Sequence, residues 1–163
     1  MNKILTLNQI ADAQGIRIKY ENLRNTHPQL EGYARPIRKL IVLEESLKSD
    51  PRKEQCILSE EIGHCIYPPT TSHVVYHIAE YYDMNHWERD RLALSVSRDE
   101  RTALGWATSF IIPDAEFWEF AKSPHEWWEW LEHFYVEDWF MRAKIGFMRL
   151  KQPFKWRQVI KRI

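Results

Sequence analysis

The chain has 163 residues, 44% of them hydrophobic and 28% charged, which is the composition of one folded domain and excludes wholesale disorder. Its 23 basic residues balance its 23 acidic ones, so no global charge draws it to nucleic acid or to a membrane. The two cysteines exclude a disulfide framework, and the sequence shows neither a signal peptide nor an apolar run long enough to cross a membrane. We therefore expect a soluble, cytoplasmic protein without a membrane partner.

The first part of the sequence predicts a helix followed by two short strands. Residues 7–14 show the apolar spacing of a helix, and residues 16–20 alternate between apolar and polar as a strand does. Gly32 and Pro36 indicate a turn, after which the β-branched run 39–43 predicts the second strand.

Two longer helices are expected in the middle of the chain. Asp50 is an N-cap residue followed by a proline, and it predicts the start of a helix that ends before Pro68. Residues 99–112 carry a stripe of apolar residues at helical spacing and predict the other helix. Residues 73–82 are rich in β-branched and aromatic residues and fit either a strand or a helix.

The last third of the sequence predicts a helical pair. Ser123 and the following proline indicate the start of one helix, and residues 136–150 form the next. The fold class expected is therefore α+β with a helical C-terminal half. We divide the chain into a core of residues 1–113 and a helical extension, residues 114–163, that packs on the core as one compact unit. The aromatic stripe predicted to face the core consists of Trp127, Trp130, Leu131 and Phe134.

Charge is unevenly distributed near the C-terminus. Residues 114–138 contain eight acids and one base, whereas residues 142–163 contain eight bases and no acid. We expect these neighbouring segments to pair mainly with each other, the alternative being that the basic segment binds an acidic partner or a phosphate backbone. The tail 151–163 either docks a partner or closes over the core.

One local pattern has the spacing of a metal-binding helix. Glu60 and His64 are four residues apart, so on a helix they lie about 40° apart and can bind one cation together. Glu61 is close enough to reach a water held by that cation. The arrangement is that of the His-Glu-x-x-His metalloprotease helix with Glu in place of the first His. Taken alone, the same string is also typical of a solvated helix face.

The wider sequence resembles the ImmA/IrrE family of metallo-endopeptidases, in particular its short members from phages and integrated elements. The resemblance runs from residue 15 to about residue 148, with a poor match over residues 73–98. The resemblance implies a zincin-like fold, which is a small metallopeptidase domain with a short antiparallel sheet and active-site helices. The matching motifs are residues 15–16, 32–33 and 40–43, residues 56–64 with Tyr67 and residues 70–71, residues 100–113, and residues 126–141.

The resemblance implies roles for four residues. Glu60, His64 and Glu100 would bind Zn²⁺ and leave a fourth position open, as catalytic zinc requires. Glu61 would be the general base that takes a proton from water and passes it to the leaving amine.

Glu60 departs from the family's consensus, and the departure has a chemical consequence. Two histidines and one glutamate leave a zinc site with a charge of +1, whereas this ligand set leaves it neutral. A neutral centre is a weaker Lewis acid. We therefore expect slower turnover, a more alkaline pH optimum, or a harder metal such as Mn²⁺.

A few further residues have weaker claims to a role. Tyr67 and His73 are candidates for contacts with the oxyanion or the substrate, although packing and structural roles are the alternatives that we favour for them. Cys56 and Cys65 are expected to be buried thiols. Trp128 is expected to face away from the core, because its neighbours form the apolar stripe.

The function expected from the resemblance is that of a metal-dependent endopeptidase. Its substrate would be a protein, a helix-turn-helix repressor from the same phage or mobile element, whose cleavage derepresses the element's genes. The alternative is a peptidase-like module that regulates by binding a partner without cutting it. A weaker alternative is a DNA-binding regulator. Acidic residues at the start of the second helix of the C-terminal pair would repel phosphate, so we expect no direct binding to nucleic acid.

Overall fold

The computed structural model describes residues 2–25, 28–68 and 86–159, with the backbone alone for residues 86–97 and 159. Within these ranges the protein is α+β, with a small three-stranded mixed sheet and mostly helical structure elsewhere. The ambiguous segment 73–82 lies outside the described residues.

Seven α-helices and three short 3₁₀-helices are described, and the α-helices carry most of the hydrophobic core. None of them, within the part of the chain described, is both long enough and apolar enough to span a membrane. In chain order they are α1 (Ile4–Ala13), α2 (Pro51–Ile66), α3 (His86–Ile111), α4 (Asp114–Phe120), α5 (Trp127–Phe134), α6 (Asp138–Lys151) and α7 (Pro153–Val159).

The sheet contains β1 (Arg17–Glu21), β2 (Gly32–Arg35) and β3 (Leu40–Glu44), with β3 in the centre. β1 runs parallel to β3 and β2 runs antiparallel to it. The expected antiparallel sheet is therefore wrong in part. A parallel pair needs a long crossover connection, and the segment that makes this crossover supplies β2 as the second edge strand.

Several predicted boundaries also need correction. β2 occupies a segment that we expected to be a turn, and α1 begins at Ile4 rather than at residue 7. α3 begins at His86, well before residue 99. α5 does not begin at Ser123, because Glu126 supplies the cap instead, in a reciprocal capping box with the fourth residue of that turn.

One hydrophobic cluster contains residues from both halves of the chain. Leu7 of α1, Ile62 of α2 and Trp130 of α5 are all fully buried in it. Gln55 is buried between the halves, where its side chain accepts a hydrogen bond from Lys3 N (2.9 Å) and donates one to Tyr135 O. The apolar stripe on α5 faces this cluster, and the prediction that Trp128 points elsewhere is confirmed by its 63% exposure.

The acidic and basic C-terminal segments pair with each other only in part, because two of the eight acids do so and four others pair elsewhere. Asp114 at the start of α4 forms ion pairs with Lys144, which is fully buried, and with Lys151 (3.1 Å). Asp138 pairs with Arg142 one turn later on α6. These contacts bring the start of α4 against the middle and the end of α6.

Candidate metal centre

Helix α2 presents the predicted motif, and local sequence determines where it begins and ends. Asp50 caps the helix by accepting a hydrogen bond from Lys53 N at 3.1 Å, and Pro51 occupies the first helical position. The helix ends at Ile66, just before Tyr67 and the proline that follows. Both predicted boundaries of this helix are confirmed.

The structure brings together the three residues predicted as ligands. One donor atom from each of Glu60, His64 and Glu100 lies within 4.8 Å of the other two. His64 Nε2 is 3.3 Å from Glu100 Oε2, across the contact between α2 and α3. The His64 side chain is buried and both glutamates are partly exposed. We call these three residues the Glu-His-Glu cluster.

The donor set of this cluster fits a small divalent ion. One imidazole nitrogen and two carboxylate oxygens are ligands that Zn²⁺ and Mn²⁺ accept. Three protein ligands leave a position for water or substrate, which distinguishes catalytic zinc sites from closed structural ones. Ca²⁺ would need six to eight oxygen ligands, which this cluster does not provide.

A contact between two backbones positions the cluster. A Cβ atom added at Gly63 would lie 2.6 Å from the carbonyl oxygen of Ala103 and 3.0 Å from its Cα. Since Gly63 precedes His64 and Ala103 lies one turn after Glu100, this contact holds the candidate ligands of α2 close to the one of α3. The spacing of the cluster therefore depends on a residue with no side chain.

Gly63→Ala is expected to destabilise the protein and to weaken the cluster. The new methyl group meets backbone, which cannot rotate aside, so α2 and α3 must separate. Overpacking of this kind costs about 1–3 kcal/mol, or roughly 3–9 °C in Tm for a chain of this size. The measurements are the Tm of thermal unfolding and the affinity for Zn²⁺, and both values should fall.

Gly146→Ala provides the matched control. Gly146 also lies inside a helix, α6, but nothing lies within 4 Å of a Cβ placed there. This change should stabilise the protein by about 0.5–1 kcal/mol, because alanine is the better helix former. Equal effects of the two substitutions would show that Gly63 has no special packing role.

Glu61 lies beside the cluster and faces the sheet. Its carboxylate accepts a hydrogen bond from the backbone N–H of Ala34 in β2. Burial raises the pKa of Glu61 to about 8, and the carboxylates of Glu60 and Glu100 raise it as well, while His64 acts in the opposite direction. A bound cation would lower this pKa and favour the ionised form that a general base requires.

The carboxylates also affect His64. Burial alone would lower the pKa of its imidazole, but the hydrogen bond to Glu100 and the nearby charges of Glu61 and Glu60 raise it above its ordinary value. The surroundings of His64 therefore attract positive charge, and either a proton or a metal ion can supply it.

Among the described residues, neither cysteine belongs to the group that could hold a metal ion. Tyr67 follows α2 and is 46% exposed, and the turn beside it lies mostly outside the described residues, so its packing there stays a prediction. His73 lies outside the described residues. Cys56 is fully buried and Cys65 partly so; both are free thiols, and burial raises their pKa values to about 12 and about 11.

Two parts of the site were not predicted from the sequence. Gly63 was overlooked, although a glycine inside a helix facing a run of small residues on another helix is a sign of close packing. The backbone of Ala34 was missed because β2 was expected to be a turn. Comparison with known proteins adds no relative: no family model matches the chain, and no curated protein or solved structure is significantly similar to it.

Proposed function

We propose that this protein is a metal-dependent endopeptidase with a zincin-like domain, similar to the ImmA/IrrE family. The observation that carries the proposal is the Glu-His-Glu cluster, whose three donor atoms lie within 4.8 Å of one another on two separate helices. Glu61 lies beside the cluster and follows Glu60 directly in the sequence. Its carboxylate provides the base that peptide hydrolysis requires.

In this proposal the chain's own residues have distinct tasks. Zn²⁺ or Mn²⁺ bound by the cluster would act as a Lewis acid toward the scissile carbonyl. Glu61 takes a proton from the attacking water and delivers it to the departing amine nitrogen. The Ala34 N–H holds the Glu61 carboxylate in position through these transfers. Because Glu60 makes the metal-loaded cluster neutral, turnover is slower than in a site with two histidines.

Metal analysis tests the proposal directly. The protein purified without added metal is expected to contain about one zinc or manganese ion per chain, measured by elemental analysis. His64→Ala and Glu100→Ala should each reduce the content to background while circular dichroism shows that both remain folded. Removal of one of three ligands leaves too few donors to retain the ion.

Two control variants make this result specific. His133→Ala and Glu119→Ala remove the same residue types from α5 and α4, where they pair with Glu116 and Lys122 instead. Both controls should keep the full metal content. If the wild-type chain contains no metal while folded, or if the controls lose it as readily as the ligand variants, the proposed metal centre is wrong.

The proposed substrate is a folded protein, a helix-turn-helix repressor encoded by the same phage or mobile element. Its cleavage would derepress the genes of that element. The feature that supports a protein substrate is Trp128 of α5, whose side chain is 63% exposed. Aromatic residues of this kind frequently anchor protein contacts.

The second candidate is a binding module that holds its partner without cutting it. The observation that favours it is Glu60, which weakens the metal as a Lewis acid. Glu61 separates the two candidates, because its loss stops an enzyme but leaves the affinity of a binding module unchanged.

A further inference from the structure

The outer surface at the junction of α6 and α7 combines exposed apolar side chains with cations that form no ion pair with the described residues. Leu150 is 74% exposed and Phe154 is 81% exposed, on either side of the helix break at Gln152. Exposed apolar side chains of this size that occur together mark an interaction surface more often than single ones do.

The packing of the two helices shows why both side chains point outward. Met148 is fully buried and Trp156 is 7% exposed, so these two residues anchor α6 and α7 to the core. Leu150 and Phe154 each lie two positions from one of these anchors, which is about 200° around a helix. Each therefore lies on the side of its helix opposite the core.

Three exposed cations accompany the apolar pair. Arg149, Lys155 and Arg157 are exposed, and within the described part of the chain they form no ion pair. Lys155 lies over the ring of Trp118, 4.6 Å from its centroid, which fixes its position near the surface.

Six of the eight acids of the neighbouring segment already form ion pairs with other residues. Asp114 binds two lysines of α6, and Glu132 of α5 pairs with Arg52 of α2. Glu119 pairs with Lys122, which lies on its own segment. Within the described residues, Arg149, Lys155 and Arg157 therefore form no ion pair with the acidic segment that precedes them.

We propose that this surface, formed by Arg149, Leu150, Phe154, Lys155 and Arg157, docks an acidic amphipathic helix of a partner protein. The two apolar side chains would enter the apolar face of that helix, and the three cations would pair with the acids along its edges. The proposal does not depend on the metal centre.

Other occupants explain the surface less well. Duplex DNA would use the cations but would leave Leu150 and Phe154 in contact with phosphates, where they gain nothing. Within the described residues, α7 and one side chain of α6 present a shorter apolar face than binding to a membrane surface requires. An acidic helix satisfies both parts of the surface.

A pair of synthetic peptides tests the proposal on the full chain. One is an amphipathic helix of about 16 residues with leucine at core spacing and glutamate elsewhere, and its counterpart has lysine at every glutamate. Fluorescence anisotropy should show the acidic peptide binding at least about tenfold more tightly than the basic one. Equal affinity, or no binding of the acidic peptide, would overturn the proposal.

Matched variants identify the surface. Leu150→Ser with Phe154→Ser, and separately Arg149→Glu with Arg157→Glu, should each weaken binding of the acidic peptide about tenfold. The controls should bind as the wild type does: Leu5→Ser changes an equally exposed leucine of α1, and Arg17→Glu with Lys19→Glu reverses exposed cations of β1. Equal losses in the controls would contradict the assignment.

Two further probes distinguish the class of partner. Vesicles of phosphatidylglycerol and phosphatidylcholine, and a DNA duplex of about 20 base pairs, are each titrated with the protein under the same conditions. If either binds more tightly than the acidic peptide and loses affinity in the same surface variants, the surface serves a membrane or a nucleic acid, and the proposal is overturned.

Discussion

Glu61→Gln is expected to lower the rate of peptide hydrolysis by about 10²–10⁴-fold while the metal content stays at the wild-type level. Glutamine has the same shape as glutamate but cannot accept the proton of the attacking water. It is not one of the three ligands, so the ion should remain bound. The measurement is the initial rate at which the zinc-loaded protein releases new amino termini from a proteome-derived peptide library.

The complementary variant is Glu60→His, which keeps a ligand at this position and raises the charge of a zinc-loaded site from zero to +1. This variant should hydrolyse the same peptides faster than the wild type. An unchanged rate in Glu61→Gln would show that another group acts as the base. Loss of the metal in that variant would instead make Glu61 a ligand.

Asp114→Ala is expected to destabilise the protein by about 3 kcal/mol, since it leaves the ammonium group of Lys144 buried without its carboxylate. Lys144 has no exposed surface, whereas Asp114 is 36% exposed. Water can therefore reach the position that the carboxylate leaves. The expected loss of stability is for this reason at the low end of the range for a broken buried ion pair. Chemical denaturation of the two proteins gives the difference in the free energy of unfolding.

Restoration and pH provide the controls for this prediction. Adding Lys144→Met to Asp114→Ala should recover most of the loss, because the buried charge is then gone. Burial alone would raise the pKa of Asp114, but Lys144 and Lys151 hold it below 3.8, so its contribution to stability should disappear as the pH falls below about 4. Glu119→Ala, which breaks the exposed pair with Lys122, should change stability by under about 1 kcal/mol.

The sequence was most informative where local chemistry determines an element. Helix α2 was predicted with both of its ends because Asp50 and Pro51 begin it and Pro68 follows it. The positions of Glu60 and His64 on one side of that helix then followed from helical geometry alone. Glu100 was different, since only the resemblance to a family, and no local spacing, connected it with α2.

The elements that were missed depend on distant contacts. β2 contains only Gly32–Arg35, has no alternating pattern, and is a strand because it pairs with β3 and packs against α2. The start of α5 was misplaced because Ser123 offers a plausible cap, while the reciprocal bonds between Glu126 and Glu129 define the actual one. Neither outcome can be read from propensity.

Residues that carry the chemistry of a site usually tolerate substitution least, but the backbone contact at Gly63 makes a residue without a functional group the less tolerant one. Glu60 is a candidate ligand with a flexible, partly exposed side chain, so another donor such as histidine can replace it without closing the space that it occupies. Gly63 contributes no chemical group, yet every other amino acid adds a Cβ that the backbone of Ala103 excludes. If the cluster holds a metal as proposed, its donor atoms can therefore be changed by substitution, whereas the separation of the two helices that carry them offers almost no room for variation.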